Sequence, residues 1–148
     1  ATYLGASVST KDTRIINALK SYGQNFGMAY QIMDDYKDIA ESDQTSGKST
    51  GNDLFKGKIT LPIIRTARNS PENISHRMKD ILSSVNNNGR DLASKKNELH
   101  KLLKQNGSLD YTYRQARHYT NSAIKNLKVL KNSDYKDILI ALAESVIA

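Results

Sequence analysis

The chain has 148 residues, of which 38% are apolar, and a formal net charge of +7. No run approaches the roughly 18 apolar residues of a membrane span, and the absence of cysteine excludes disulfides, thiolate chemistry and cysteine-based metal sites. The charge favours an anionic partner such as anionic lipid or a phosphorylated small molecule, whereas scattered cations without a helix-turn-helix pattern argue against nucleic acid.

One long helix is predicted to dominate the N-terminal third of the chain. Apolar residues recur at spacings of three and four, and β-branched alternation is almost absent, so we expect an all-α protein. Ser9 or Thr10 can cap a helix that begins near Lys11 and continues to about Ser42. Because the chain lacks an initiating Met and a signal-type leader, we expect that residue 1 is not a natural start.

A loop is predicted where the helical pattern stops, from Asp43 to Gly57, because this stretch combines three glycines with short polar residues. Thr60 is expected to be the N-cap of the next helix, with Pro62 in its first turn. Pro71 then precedes a helix at about 72–85, which the sequence NNNG ends.

Three further helices are predicted in the C-terminal part. The sequence DLASKKNELHKLLKQNG indicates a capped helix with Gly107 as its C′ residue. The last two helices are expected from about Ser108 to Leu130 and from about Ser133 to Ile147, with a polar turn near Asn132. Their wide apolar faces predict that the helices pack into a bundle.

Four polar side chains interrupt the apolar pattern of the long helix. They are spaced i, i+3, i+4 and i+7 and therefore share one side of it: Gln31, Asp34, Asp35 and Asp38. Carboxylates at this spacing repel, and a divalent cation reverses that penalty. Oxygen ligands without nearby His or Cys suit Mg²⁺, which completes its shell with water and substrate phosphates. A solvated acidic face paired with lysines is the alternative interpretation.

The predicted loop places lysines beside glycines, just ahead of a helix N-terminus. The cations are Lys48, Lys56 and Lys58. Glycine backbone, ammonium donors and the positive end of a helix dipole are the groups expected around a phosphate. The pattern does not match a Walker A sequence. Together with the carboxylates, it predicts a metal–diphosphate site in two parts.

Residues 22–64, YGQNFGMAYQIMDDYKDIAESDQTSGKSTGNDLFKGKITLPII, carry a specific ordered set of motifs. This run resembles the second aspartate-rich region of the all-trans isoprenyl diphosphate synthases, which contains Phe-Gln, DDxxD, Gly-Lys, Gly-x-Asp and Gly-Lys-x-Thr-x-Pro. Weaker matches cover ATYLGA and the C-terminal helices. The resemblance implies an isoprenoid-synthase-type helical bundle, with residues 1–148 as the C-terminal portion of a single domain. The first DDxxD and the Lys-Thr pair of the family are not found here.

The resemblance implies a role for each matching position. The implied metal ligands are Asp34, Asp35 and Asp38, which would hold Mg²⁺ ions bridged by the substrate diphosphate. Asp34, Asp35 and Lys48 are the implied catalytic residues. Lys48, Lys58 and Gln31 are the implied diphosphate-binding residues, and Asp53 matches the Gly-x-Asp motif, where organising the loop is at least as simple a role.

The activity implied by the resemblance is prenyl transfer. Such an enzyme condenses isopentenyl diphosphate head-to-tail with an allylic diphosphate, with Mg²⁺, to make an all-trans polyprenyl diphosphate for isoprenoid or quinone side-chain synthesis. The chain carries half of the metal clamp, so we expect it to be inactive without the N-terminal half, in the same polypeptide or another chain. Product length is not readable from this chain. The Lys-, Asn- and Ser-rich composition suggests a bacterial source, and because many bacterial members of the family that it resembles make medium or long products, these are expected ahead of farnesyl or geranylgeranyl.

The expected assembly and location, and two alternative functions, also follow from the resemblance. A homodimer or a heterodimer with a small subunit is expected, in the cytoplasm and peripheral to the membrane through its lipid product. A non-catalytic regulatory subunit is one alternative, against which the intact DDxxD argues. A terpene cyclase is the other, against which the GKSTGND and GKITLP sequences argue.

Overall fold

The computed structural model describes residues 1–40, 58–85 and 92–148. These residues form seven α-helices, with a 3₁₀ turn at Leu127–Val129: α1 (Thr2–Ser9), α2 (Thr13–Ala40), α3 (Leu61–Asn69), α4 (Glu72–Val85), α5 (Leu92–Gln105), α6 (Ser108–Asn126) and α7 (Asp134–Glu144). The all-α prediction is confirmed for this part of the chain, which contains no strand. None of its helices combines the length and the hydropathy that a membrane span requires.

The start of α2 differs from the prediction. Ser9 ends α1, and Thr10 is the C-cap of α1 and accepts a hydrogen bond from the Asp12 backbone at 3.1 Å. Asp12 instead precedes the first residue of α2, and its Oδ1 accepts from the Arg14 backbone at 2.9 Å. A carboxylate at this position both satisfies an orphan N–H and complements the helix dipole, which is why it displaces the hydroxyl residues as the cap.

The C-terminal helices are shorter than predicted. The α-helical part of α6 ends at Asn126, and Lys136 Nζ donates to the carbonyl oxygen of Leu130 at 3.0 Å, which holds the turn that follows. Ser133 is the N-cap of α7 as expected, with its hydroxyl accepting from the Lys136 backbone at 3.3 Å. The chain beyond Glu144 tightens to i+3 hydrogen bonding, which ends the α-helix before Ile147.

Two compact units divide the chain. The terminal unit consists of residues 1–33 and 114–148, and the central unit consists of residues 34–113. In the terminal unit, the buried Tyr22 ring packs with Ala123, Leu127 and Ala143, and its hydroxyl donates to the carbonyl oxygen of Leu139 at 2.8 Å. Burial raises the pKa of this phenol.

Helices α1 and α2 approach each other closely at Gly23, within the terminal unit. A Cβ atom added at Gly23 would overlap the Thr2 hydroxyl, whereas one added at Gly5 or Gly27 would meet no atom within 4 Å. The missing side chain therefore sets how closely α1 packs on α2.

The core of the central unit comes from four helices and the end of α2. Its buried members are Ile39, Ile63, Met78, Ile81, Leu99, Leu102, Leu103 and Leu109. These residues recur at helical spacing on α3 to α6, so each helix buries one apolar stripe. The position of Ile39 in this cluster fixes the last turns of α2 to the central unit.

A buried polar network fixes the junction between α5 and α6. Gly107 has a φ of 70°, the left-handed conformation expected of a C′ residue, which confirms its predicted role. The hydroxyls of Thr66 and Ser108, both buried, lie 2.7 Å apart, and the Asn106 amide donates to Ser70. These bonds satisfy side chains that would otherwise be costly to bury, so they hold the start of α6 against α3.

A pH-dependent contribution to stability is expected from His100, which is half-buried on α5. Burial, and then the charge of Lys104, lower the pKa of His100 below its ordinary value of 6.5. The unfolded chain therefore takes up a proton before the folded chain does, so the free energy of unfolding falls as the pH drops through 6.5 and is fully retained above it.

Urea unfolding of the complete protein about one pH unit above and below 6.5 measures this effect. His100→Gln should reduce the difference between the two midpoints, whereas His118→Gln, at an exposed position on α6, should keep it. Equal pH dependence in the parent and in His100→Gln would show that His100 contributes nothing.

Candidate functional site

The two faces of α2 differ sharply where it carries the carboxylates. Ala29, Ile32, Met33 and Ile39 are buried on one face. On the other face, Gln31 and Asp34 are exposed, and Asp35 and Asp38 are half-buried. The helix thus places its polar residues on one side, as their spacing predicts, and uses the opposite side for packing.

An ion pair joins the two parts of the predicted site. Lys58 Nζ lies 3.2 Å from Asp35 Oδ1, and the Asp35 side chain is only 13% exposed, compared with 43% for Lys58. The family resemblance implies that Asp35 binds the metal and that Lys58 binds the diphosphate, and the structure brings these two residues into contact. In this partly desolvated setting, the ammonium group offsets the cost of burying the carboxylate.

Tyr36 anchors the carboxylates from the opposite face of α2. Its ring packs against the core of the central unit and lies 5.6 Å from the Tyr113 ring, measured between centroids. Tyr36 follows Asp35 directly, so this contact fixes the rotation of the helix at the acidic residues. This role was not predicted from the sequence, where its one signal is an aromatic residue directly after the acidic pair.

Thr60 occupies the N-cap position of α3, as predicted, with extended backbone angles of φ −97° and ψ 164°. Its side chain, however, makes no capping hydrogen bond, so the expected capping chemistry is wrong. Thr60 is 1% exposed, and its Oγ1 has no hydrogen-bond partner among the residues that the structure describes. The burial of this hydroxyl, two residues from Lys58, was not predicted from the sequence.

The donor set of α2 fits a hard divalent cation held by few protein ligands. Within residues 1–40, 58–85 and 92–148, no three acidic, histidine or cysteine side chains are grouped so that they could hold one ion. Mg²⁺ commonly takes one or two carboxylates and fills its remaining positions with water and phosphate oxygens. Asp34, Asp35 and Asp38 supply such oxygens, without the nitrogen and sulfur ligands that softer metals prefer.

The glycine–lysine loop lies outside the described residues. It contains Lys48, the implied catalytic and diphosphate-binding residue, together with Lys56 and Asp53. Their roles stay predictions. Of the implied diphosphate ligands, the structure places Lys58 against Asp35 and leaves Gln31 exposed, on the turn of α2 before Asp34.

Comparisons with known proteins identify the family. Residues 1–101 match the family model described as Polyprenyl synthetase. The chain is 30% identical, over 99% of its length, to a short chain isoprenyl diphosphate synthase from Methanothermobacter thermautotrophicus, of which it covers 43%.

Solved structures confirm the isoprenoid-synthase fold. A geranylgeranyl pyrophosphate synthetase from Pyrococcus horikoshii matches 98% of the chain with a TM-score of 0.86 and 32% identity, and the chain covers 42% of it. A polyprenyl synthase from Caulobacter crescentus, complexed with calcium and isoprenyl diphosphate, matches 98% with a TM-score of 0.77 and 28% identity, and the chain covers 43% of it. The chain thus spans less than half the length of these relatives, and it belongs to the polyprenyl synthetase family.

Proposed function

We propose that the chain forms part of an all-trans polyprenyl diphosphate synthase. In it, Asp34, Asp35 and Asp38 hold Mg²⁺ ions against an allylic diphosphate, with each ion bound by one or two of these carboxylates. The observation that carries the proposal is the half-buried Asp35–Lys58 pair on the acidic face of α2. Carboxylates beside an ammonium group are what a metal–diphosphate complex needs, since the metal and the cation both neutralise phosphate charge. The calcium and isoprenyl diphosphate named for the Caulobacter crescentus structure agree with this chemistry.

The reaction breaks the allylic C–O bond, and the electron pair leaves with the diphosphate. A C–C bond then forms between the allylic carbon and isopentenyl diphosphate, whose new cation loses a proton to restore a double bond. Bound metal supplies Lewis-acid stabilisation of the departing diphosphate. Lys58 donates hydrogen bonds to phosphate oxygens, and its charge stabilises the negative charge that grows as the C–O bond breaks.

The chain is proposed to act only with an N-terminal half that supplies the first aspartate motif. This half lies in the same polypeptide or in another chain, and the enzyme works as a homodimer or with a small subunit. A medium or long product and peripheral membrane association through that product are further parts of the proposal. The regulatory-subunit and cyclase alternatives gain no support, because the relatives are synthases.

An assay of isopentenyl diphosphate incorporation tests the proposal. The complete enzyme should extend an allylic diphosphate primer in the presence of Mg²⁺ and stop when the metal is chelated. Residues 1–148 alone should show no incorporation, and adding the separately expressed N-terminal half should restore it. A complete enzyme that consumes no isopentenyl diphosphate would refute the function, and turnover by residues 1–148 alone would refute the need for the other half.

A further inference from the structure

Helix α6 and its 3₁₀ extension carry a run of cations on one exposed face. Residues 111–133 contain five Lys and Arg residues and no Asp or Glu. Four of these cations recur at helical spacing within an arc of roughly 100° and are exposed; we call them the basic stripe: Arg114, Arg117, Lys125 and Lys128. The exposed His118 lies on the same side.

The charge of the basic stripe is not neutralised within the part of the chain that the structure describes. None of its four cations takes part in an ion pair there. Other cations do find carboxylates, such as Lys95 and Arg77, which both contact Glu98. Like charges at helical spacing repel, so an uncompensated stripe favours an anionic partner.

Exposed apolar side chains follow the basic stripe in the sequence, on the next helix of the same unit. Tyr135, Ile138 and Leu142 recur on one face of α7 and are 81%, 62% and 47% exposed. A cavity of about 600 Å³ lies between the turn that follows the stripe and the start of α7, since Val129, Lys131 and Tyr135 all line it. Helix α7 also carries three acidic residues and therefore adds no net positive charge: Asp134, Asp137 and Glu144. Its contribution is apolar contact area.

We propose that the basic stripe and the apolar face of α7 together bind the surface of an anionic lipid bilayer. Cations attract anionic head groups, while exposed aromatic and aliphatic side chains enter the boundary between head groups and acyl chains. The phosphates of a nucleic acid would pair with the cations of the basic stripe, but Ile138 and Leu142 would remain exposed to water. The inference rests on the proposed function, because a polyprenyl product is itself apolar and has to enter a bilayer.

Vesicle sedimentation of the complete enzyme tests this surface without any substrate. The parent should bind vesicles of phosphatidylcholine with phosphatidylglycerol more tightly than vesicles of phosphatidylcholine alone. Replacing the four stripe cations with Gln should lower the affinity at least about tenfold, because each cation near an anionic surface contributes about fivefold. The matched control replaces four other exposed cations with Gln and should change the affinity less than about twofold: Arg68, Lys79, Lys101 and Lys104.

A second variant, Ile138→Ser with Leu142→Ser, tests the apolar part. It should lose the vesicle binding that remains at high salt and keep the thermal midpoint of the parent. A lowered midpoint would mean that the enzyme covers this face internally, which would overturn the proposal.

Equal binding to both vesicle types, or parent-like binding by the stripe variant, would also overturn the proposal. The proposal would also be overturned if the enzyme did not bind vesicles but bound single-stranded RNA through the basic stripe. Turnover assayed in detergent separates this inference from the proposed function: all variants should retain it, and a parent without turnover would refute the function instead.

Discussion

Asp34→Ala in the complete enzyme is expected to lower kcat by about 100-fold or more, which corresponds to about 2.7 kcal/mol of lost transition-state stabilisation. Asp34 is the most suitable aspartate for this test because its side chain is exposed, whereas Asp35 pairs with Lys58 and Asp38 is half-buried. Alanine also favours helix, so α2 should remain intact. Steady-state kinetics across a Mg²⁺ titration give the measurement.

The variant should also need more Mg²⁺ to reach half-maximal turnover. Its thermal midpoint without metal should equal or slightly exceed that of the parent, because one of three neighbouring like charges is gone. Asp80→Ala is the matched control, an exposed aspartate on α4 away from the acidic face, and should leave turnover unchanged. Near-parental turnover of Asp34→Ala would refute the metal assignment.

Leu103→Ala is expected to destabilise the central unit by about 3 kcal/mol. Leu103 is fully buried on α5, in the cluster that also contains Ile39 at the end of α2. Truncation removes apolar contacts and leaves a cavity that neighbouring helices fill only in part. Chemical unfolding of the complete enzyme measures the loss. Because Ile39 follows Asp38, the variant should also require more Mg²⁺ for turnover at a temperature where it stays folded.

Leu142→Ala provides the control for this substitution, since Leu142 is 47% exposed on α7. It should cost less than about 1 kcal/mol, because the methyl groups removed already contact solvent. Equal losses in the free energy of unfolding from the two substitutions would show that Leu103 stabilises the protein no more than an exposed leucine does. A normal Mg²⁺ requirement in Leu103→Ala would show that the packing of this core does not affect metal binding at the acidic residues.

Helical periodicity predicted the elements of this fold well. Each helix buries one row of apolar residues, and these residues recur every three or four positions in the sequence. The helix ends were less predictable. Ser9, Thr10 and Asp12 are all good capping residues, and the local sequence does not decide among them; in the structure Ser9 ends α1 and Asp12 caps α2. In the same way, Lys136 donates to the Leu130 carbonyl in the turn that follows α6, a contact that helical periodicity does not predict.

The acidic face was predictable for a similar reason, since spacing on one helix fixes which side chains share a side. The contact between Lys58 and Asp35 was not, because it joins residues from separate elements. The anchoring role of Tyr36 depends on Tyr113, which is distant in sequence. For Thr60, the neighbouring sequence predicted the N-cap position correctly, but only the structure shows that its buried hydroxyl makes no capping hydrogen bond.

The close approach of α1 to α2 at Gly23 couples two positions that are far apart in the sequence. Any side chain at position 23 needs the space that the Thr2 hydroxyl now fills. A larger residue there keeps the present helix spacing when the Thr2 side chain rotates away or when residue 2 becomes smaller. Across natural variants of this protein, the identities of residues 2 and 23 should consequently change together. A larger residue at one position should accompany a smaller residue at the other.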